Sequence, residues 1–271
     1  MEWLVLALAL VTAVPAAAYF FQDRLIFFPQ PLAGAPRLPP RTEPLEVVAA
    51  DGTRLAGWLR PGATKPAPTI LYFGGNAEEV SWTLADPRWP REWTVVALNY
   101  RGYGTSGGEP GELALSADAL AIFDAVAARD DVDAKKIVAF GRSLGTGVAT
   151  YLAAHRPVAA VVLASPYDSL VEMARTHYPW LPARLLLRHR FDSASHARSL
   201  SMPLLAIVAE HDAIVPEARS RALYDAWAGP RSWVVVPGTD HNSLSVPDSF
   251  WMAIAAFLEA QRSRAAGADE R

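Results

Sequence analysis

Residues 137–154 read IVAFGRSLGTGVATYLAA, an apolar run, a serine with a glycine two positions away on each side, and a helix-like run. The Gly-x-Ser-x-Gly pattern is weak evidence alone, but here it follows a predicted strand and opens a predicted helix, which is the context of a nucleophile elbow. Gly141 and Gly145 leave room for the neighbouring chain around a strained Ser143. We expect the Ser143 hydroxyl to stand clear of the sheet, the alternative being an ordinary helix-capping serine.

An acid and a histidine follow two further predicted strands. Residues 203–209, PLLAIVA, are typical of a buried parallel strand, and Asp212 comes shortly after them. Residues 232–237, SWVVVP, predict the next strand, and His241 comes shortly after it. Because the carboxyl ends of parallel strands meet at one edge of a sheet, we expect Ser143, Asp212 and His241 to lie together there.

These three residue types have the chemistry of nucleophilic catalysis. A serine hydroxyl is a poor nucleophile at neutral pH, so a base must take its proton during attack. His241 is suited to this role because the unperturbed imidazole pKa is about 6.5. Asp212 would hold the correct imidazole tautomer and stabilise the imidazolium. The predicted catalytic residues are therefore Ser143, Asp212 and His241.

A second glycine-containing turn predicts the oxyanion site. Residues 69–73, TILYF, indicate a strand that leads into Gly74-Gly75-Asn76-Ala77. Backbone N–H groups at such a turn can hold the negative charge that develops on an acyl oxygen. We predict an oxyanion hole formed by the N–H of Asn76 and the N–H of Leu144 at the start of the elbow helix.

Two other aspartates compete for the role of the acid. Asp168 follows the predicted strand over residues 158–164 and could reach the histidine from a neighbouring strand end, and Asp192 lies in a loop. Position favours Asp212, because it follows the strand directly before the one that leads to His241. The remaining histidines show no paired metal-ligand spacing and the chain has no cysteine, so no metal site is predicted.

Three motifs resemble one enzyme family. Residues 73–77 (FGGNA), 99–107 (NYRGYGTSG) and 141–145 (GRSLG) are similar to the α/β-hydrolase superfamily, specifically to its BEM46-like, membrane-anchored serine hydrolases, over roughly residues 20–260. The order Ser, Asp, His along the chain agrees with that superfamily. The resemblance implies the same triad in this chain and an acyl ester or thioester substrate. We predict no cofactor.

The first motif departs from the family pattern His-Gly-Asn-Ala-Gly-Asn. Gly74 replaces the histidine, and Glu78-Glu79 replaces the final Gly-Asn pair. The backbone donor role of the loop survives these changes, but they put in question the side-chain hydrogen bonds that would rigidify it. The two acids are expected to disfavour anionic substrates near the entrance.

Composition limits the size and class of the protein. A chain of 271 residues, 51% hydrophobic and 20% charged, can form one large α/β core but not two. The net charge of −3, with no concentrated basic stripe, argues against a nucleic-acid partner. The absence of cysteine excludes disulfides and thiol catalysis.

Alternating strand and helix patterns predict an α/β-hydrolase fold with a mostly parallel central sheet, helices on both faces and a small lid insertion. The hydrolase domain is assigned to residues 45–262 and begins with a predicted hairpin over residues 45–59. The polar residues 263–271 are expected to form a flexible tail.

The strand–helix pattern breaks at about residues 166–200, which are assigned to the lid. Tyr178, Trp180 and Leu181 in this segment are candidate contacts for the acyl chain of a substrate. The alternative is a helix that packs on the core and exposes a solvated basic face. The pattern of residues leaves both possibilities open.

The amino terminus predicts a membrane anchor. Residues 3–21 carry no charge and are long enough to span a bilayer as a helix, so residues 1–22 are assigned to a single-pass anchor and the proline-rich residues 23–44 to a linker or arm. A cleaved signal peptide is the alternative, because residues 16–18 are alanines, although Glu2 and the lack of Lys or Arg before the apolar run argue against it. The side of the membrane that would carry the domain stays open.

Together these features predict a serine hydrolase that cleaves a carboxylic ester or thioester through an acyl-enzyme intermediate. The expected partners are a small acyl ester or lipid-like substrate and, through the anchor, a membrane. A serine peptidase or amidase is the alternative enzyme, and a non-catalytic binding module on the same fold is the alternative of another class.

Overall fold

The protein is described by a computed structural model that covers residues 2–269, with side chains from residue 13 to residue 263. The strands in this part of the chain are β1 (Glu43–Val48), β2 (Arg54–Arg60), β3 (Ala67–Phe73), β4 (Thr94–Leu98), β5 (Val132–Arg142), β6 (Ala160–Ala164), β7 (Leu204–Ala209) and β8 (Arg231–Val236). The helices are α1 (Glu2–Ile26), α2 (Ser81–Leu84), α3 (Glu112–Ala127), α4 (Leu144–His155), α5 (Leu170–His177), α6 (Ala183–Leu186), α7 (Ser193–Ala197), α8 (Glu217–Ala226) and α9 (Asp248–Asp269).

The strands form one sheet in the order β1-β2-β4-β3-β5-β6-β7-β8. The hairpin of β1 and β2 is antiparallel, and β2 also pairs antiparallel with β4. All further pairs in this order are parallel, from β4 and β3 through to β7 and β8. The carboxyl ends of β5, β7 and β8 therefore lie along one edge of the sheet, and the loops that leave them meet there.

Each face of the sheet buries its own set of apolar side chains. Ile70 and Val138 are register partners in β3 and β5, and they pack in one cluster with residues of α9 such as Ile254. The next residues along, Leu71 and Ala139, pack in the opposite cluster with residues of α3 and α4. Side chains alternate between the two faces of a strand, so a strand that is covered on both sides is apolar throughout. The predicted α/β fold, with a mostly parallel sheet and helices on both faces, is confirmed.

The segment between β6 and β7 contains the short helices α5, α6 and α7 in place of one regular crossover helix. This is the stretch that the sequence assigns to the lid, at about residues 166–200. At the other end of the domain, α9 continues to Asp269, through most of the expected flexible tail over residues 263–271. The side chains of residues 264–271 lie outside the described part of the chain.

The prediction of a single-pass membrane anchor over residues 1–22 is wrong. Across the residues that the structure describes, no helix combines the length and the apolar character needed to cross a membrane. The side chains of residues 1–12, which belong to the predicted anchor, lie outside the described part. The end of α1 instead contacts the domain through a polar group, because Gln22 is 3% exposed and its Nε2 donates to the carbonyl of Leu186 at 3.2 Å.

After α1 the chain crosses the domain as an extended arm. Phe27 is fully buried, and its ring contacts the ring of His189 with 5.0 Å between centroids. Further along, the N–H of Gly104 donates to the carbonyl of Gln30 at 2.7 Å. The proline-rich segment is therefore attached to the domain both at the lid and at the loop after β4.

Candidate active site

Ser143 lies on a sharp turn between β5 and α4. Its backbone angles, φ 49° and ψ −118°, are unfavourable for a residue with a side chain. A Cβ atom on Gly145 would overlap the carbonyl oxygen of Phe73, and one on Gly141 would overlap the carbonyl oxygen of Gly145. Both glycines are thus required by the close approach of backbone. The Ser143 hydroxyl makes no capping bond to α4, which argues against the role of an ordinary capping serine.

The structure brings Ser143, His241 and Asp212 into one hydrogen-bonded chain. The Oγ of Ser143 lies 3.0 Å from Nε2 of His241. The Nδ1 of His241 lies 2.9 Å from Oδ2 and 3.1 Å from Oδ1 of Asp212. All three distances are within the range for hydrogen bonds, and the serine and the histidine are each only 7% exposed. The arrangement can move a proton from the hydroxyl to the imidazole while a carboxylate fixes the ring.

Asp212 is held by donors other than the histidine. Its Oδ1 accepts the N–H of Ile214 at 3.0 Å and the N–H of Val215 at 2.7 Å, and its Oδ2 accepts the hydroxyl of Ser165 at 2.8 Å. Burial raises the pKa of the Asp212 carboxyl, but the hydrogen bond and charge of His241, then the bonds from Val215 and Ser165, lower it more, so the pKa lies below its ordinary value. The carboxylate is therefore ionised at neutral pH.

Ser165 was missed by sequence reasoning. It follows β6 directly and has a φ of 51°, which turns the chain so that its hydroxyl reaches Asp212. Its position could have indicated it, because Ser165 directly follows a predicted strand whose end lies on the same edge as the triad. That argument was applied to Asp168, three residues later, and not to this serine.

The two competing aspartates are engaged elsewhere. Asp168 accepts from the guanidinium of Arg219 at 3.0 Å, and burial raises its pKa above the ordinary value. Asp192 caps α7 by accepting the N–H of Ser195 at 3.2 Å. Among the described residues it is Asp212 whose carboxylate meets the imidazole of His241. No group of three or more possible metal-ligating side chains is found in the same part of the chain.

The turn after β3 presents the successive N–H groups of Gly75, Asn76 and Ala77, and the first and third of them have hydrogen-bond partners. The N–H of Gly75 donates to Oε2 of Glu78 at 2.7 Å, and the N–H of Ala77 donates to the carbonyl of Phe27 at 3.1 Å. Within the described residues, neither Asn76 nor Leu144 donates its N–H to another protein group. These are the two donors that the sequence predicts for the oxyanion.

The sequence predicts Glu78 near the entrance of the site, but the structure buries this side chain. It is 3% exposed, and its Oε1 accepts the hydroxyl of Tyr72 and the hydroxyl of Thr83, each at 2.7 Å. Its Oε2 accepts the N–H of Gly75 and an N–H of Arg142 at 3.1 Å. The expected repulsion of anionic substrates by Glu78 is therefore wrong, since its charge is buried and neutralised.

The three predicted lid contacts are not joined to the triad by hydrogen bonds in the described structure. Tyr178 and Trp180 are 54% and 63% exposed and contact each other edge to face, and Leu181 is half-buried. The residue before them, His177, places its Nε2 2.9 Å from the carbonyl of Ile214, two positions after Asp212. The lid segment thus contacts the loop of the acid.

Comparison with known proteins supports the same fold family. Residues 68–197 match the family described as alpha/beta hydrolase fold. The chain is 40% identical to the uncharacterised protein Rv2307c of Mycobacterium tuberculosis over 261 residues, which cover 92% of this chain and 93% of that one. It is 32% identical over 199 residues to the lysophosphatidylserine lipase ABHD12 of Danio rerio, covering 65% of this chain and 52% of the lipase.

A solved structure with a similar fold is the Pyrococcus furiosus esterase Pf2001. The two superpose with a TM-score of 0.66 at 16% identity, over 86% of this chain and 97% of the esterase. At that identity the similarity concerns the fold alone. The matching family and the relatives show that this chain belongs to the α/β-hydrolase superfamily, and the sheet order agrees with it.

Proposed function

We propose that this protein is a serine hydrolase that cleaves a carboxylic ester or thioester through an acyl-enzyme intermediate. The observation that carries the proposal is the hydrogen-bonded chain from Ser143 Oγ through His241 to Asp212, with distances of 3.0 and 2.9 Å. A helix-capping serine would not need a buried imidazole at its hydroxyl, nor a carboxylate behind that imidazole.

The first half of the reaction acylates the serine. As Ser143 Oγ attacks the acyl carbon, its proton passes to His241 Nε2, and the carbonyl oxygen becomes an oxyanion. The N–H groups of Asn76 and Leu144 would hold that oxyanion, since neither has a protein acceptor among the described residues, Leu144 directly follows Ser143, and Asn76 follows Gly75, whose Cβ position would lie 3.5 Å from the serine Cβ. When the tetrahedral intermediate collapses, the C–O or C–S bond breaks and the leaving group takes the proton from Nε2.

The second half releases the acid. A water molecule gives a proton to His241 Nε2 and attacks the acyl carbon, and a second oxyanion forms at the same N–H groups. Collapse breaks the bond to Ser143 Oγ, which recovers the proton from the imidazole. Asp212 remains ionised throughout and stabilises the imidazolium, a role that agrees with its lowered pKa.

The substrate class is proposed from the relatives and from the lid. One relative is named a lipase and one similar structure an esterase, and these names support an acyl ester as the substrate. The resemblance of the motifs to BEM46-like serine hydrolases supports the same class. The lipase name further supports a lipid-like ester. Tyr178, Trp180 and Leu181 would contact the acyl chain, because the two aromatic side chains are exposed, Leu181 is half-buried beside them, and their segment is attached beside Asp212.

Labelling with a fluorophosphonate tests the proposal. Purified protein should form one adduct, located on Ser143 by peptide mass spectrometry, and the Ser143→Ala protein should form none. Hydrolysis of p-nitrophenyl esters from acetate to dodecanoate should then fall by about 10⁴- to 10⁶-fold in Ser143→Ala. Matched anilides distinguish an amidase, and a folded protein that neither labels nor hydrolyses any of these compounds would favour a binding module.

A chain-length profile tests the lid contacts separately. Trp180→Ala should raise KM for dodecanoate esters and leave KM for acetate esters unchanged, because the short acyl group does not reach the lid. Leu113→Ala is the control, because Leu113 is an exposed apolar residue on a different element, α3. This change should leave both KM values unchanged. An unchanged dodecanoate profile in Trp180→Ala would remove this residue from the acyl site.

A further inference from the structure

We propose that Glu78 is a positioning residue that holds the oxyanion loop against the nucleophile elbow through Arg142. The inference rests on the proposed function, since it concerns the same site. Glu78 and Arg142 are 64 residues apart in the chain, yet their side chains meet at 3.1 Å with exposures of only 2% and 19%. Neither residue is part of the proton-transfer chain.

The carboxylate of Glu78 is saturated with donors. It accepts two hydrogen bonds on each oxygen, from the hydroxyls of Tyr72 and Thr83 on one and from Gly75 N–H and Arg142 on the other. An ionised carboxylate has about four acceptor sites and no donor, so this environment fits the charged form. Burial, and then the charge of Glu78, hold the pKa of Tyr72 well above its ordinary value, so that the phenol keeps the proton that it donates.

The bond to Gly75 fixes the neighbour of the proposed oxyanion donor. Gly75 precedes Asn76, and an atom at the Cβ position of Gly75 would lie 3.5 Å from the Cβ of Ser143. A shift of Gly75 would therefore move the Asn76 N–H relative to the serine. Glu78 restrains the position of Gly75, and the carbonyl of Phe27 restrains the chain on the other side of Asn76 by accepting from Ala77.

Arg142 connects the same carboxylate to the rest of the site. It directly precedes Ser143, and its second terminal nitrogen lies 3.4 Å from the carbonyl oxygen of His241. One buried ion pair thus links three loops, which carry the oxyanion donor, the nucleophile and the base. Because geometry within about 1 Å decides the rate of such reactions, loss of the pair should slow chemistry more than binding.

Glu78→Gln is the direct test, because it keeps the shape of the side chain and removes its charge. We expect kcat on a short ester to fall by ~10- to 100-fold while KM changes by less than about threefold, with the rate constant of fluorophosphonate labelling falling in parallel. Asp118→Asn is the matched control. It removes the charge from another buried ion pair, with Arg101, and it should lower thermal stability without slowing the labelling of Ser143.

A second variant keeps the proposal testable if the Glu78→Gln protein does not fold. Arg142→Lys keeps the positive charge but cannot reach Glu78 and His241 together, and it should lower kcat by an intermediate factor. Folded Glu78→Gln or Arg142→Lys protein that labels and turns over at the wild-type rate would overturn the proposal. So would failure of both variants to fold, which would assign the pair to stability alone. If wild-type protein does not label at Ser143, the proposed function fails first and independently.

Discussion

Ser165 Oγ donates to Asp212 Oδ2 at 2.8 Å, the same carboxylate oxygen that lies 2.9 Å from His241 Nδ1. Ser165 is therefore the fourth member of a line of contacts that begins at Ser143, passes through His241 and Asp212, and ends directly after β6. The Ser165 hydroxyl and the His241 imidazole share this one carboxylate oxygen. The hydroxyl therefore restrains the orientation of the carboxylate relative to the imidazole ring.

Removal of this hydroxyl should slow the reaction moderately. In Ser165→Ala the carboxylate keeps its backbone donors from Ile214 and Val215, so it stays ionised, but it loses one restraint on its orientation. We expect kcat to fall by about 3- to 10-fold, in proportion to a hydrogen bond of about 1 kcal/mol. Steady-state kinetics on a short ester measure this. Ser199→Ala is the control, because Ser199 is exposed and its hydroxyl donates to the backbone carbonyl of His196, away from the carboxylate of Asp212.

The identity of the acid can be decided by two isosteric changes. Asp212→Asn should lower kcat by about 10³- to 10⁴-fold, because an amide favours the wrong imidazole tautomer and cannot stabilise the imidazolium. Asp168→Asn should retain most of the activity, since that carboxylate meets Arg219 and not His241. The opposite pattern, with activity lost only in Asp168→Asn, would contradict the assignment.

The lowered pKa of Asp212 predicts a pH dependence of stability. A carboxyl whose pKa is lower in the folded protein stabilises the fold above its unfolded pKa of about 3.9, and this contribution is lost as the pH falls through the folded value. Below about pH 5 the free energy of unfolding of the wild type should therefore fall more steeply with falling pH than that of Asp212→Asn. Urea titrations at several pH values measure both slopes, and equal slopes would contradict the prediction.

The sequence was sufficient for the parts of the site that follow strand ends. Ser143 and His241 could be placed because the edge of a parallel sheet gathers the loops after its strands. Position already favoured Asp212 over Asp168, because Asp212 follows the strand directly before the one that leads to His241, and the contacts of the two carboxylates agree with that choice. Glu78 was misplaced, since a loop glutamate is normally solvated, and its burial depends on Arg142, a partner distant in sequence.

The amino terminus shows a different limit of sequence reasoning. An uncharged run longer than about 17 residues is typical of a spanning helix, and hydropathy alone contains no information about what the end of that helix contacts. Here Gln22 and Asp23 meet the lid through Leu186, Arg188 and His189. These pairs are separated by more than 160 positions and follow no local pattern.

The close packing at the elbow predicts a steep cost for a single methyl group. In Gly145→Ala the new Cβ would overlap the Phe73 carbonyl and lie 2.5 Å from that of Gly74, and backbone there cannot move without disturbing β3. We expect the free energy of unfolding to fall by about 1–3 kcal/mol, with loss of esterase activity in the protein that remains folded. Gly107→Ala is the control, because its nearest neighbours would lie at 3.8 Å. Denaturant unfolding compares the two.

The arm after α1 contacts the loop that follows β3. The carbonyl of Phe27 accepts both the Ala77 N–H and the Tyr103 hydroxyl, and its ring is fully buried in the apolar cluster that covers one face of the sheet, so the arm supports the proposed oxyanion loop from within the core. Phe27→Ala should lower the free energy of unfolding by about 3–5 kcal/mol, because it empties a buried aromatic site. Labelling of Ser143 should slow as well, at a temperature where the variant is folded, because the buried ring would no longer hold in place the residue-27 carbonyl that accepts from Ala77.

A nearby aromatic residue provides the comparison for this variant. Phe20, on α1, is 73% exposed, and Phe20→Ala should change neither the stability nor the labelling rate by a measurable amount. If Phe27→Ala is destabilised but folded protein still labels at the wild-type rate, the arm contributes packing alone. A parallel loss of both would show that the loop that holds the oxyanion depends on a segment outside the catalytic domain, and that the region assigned to a linker is part of the active site.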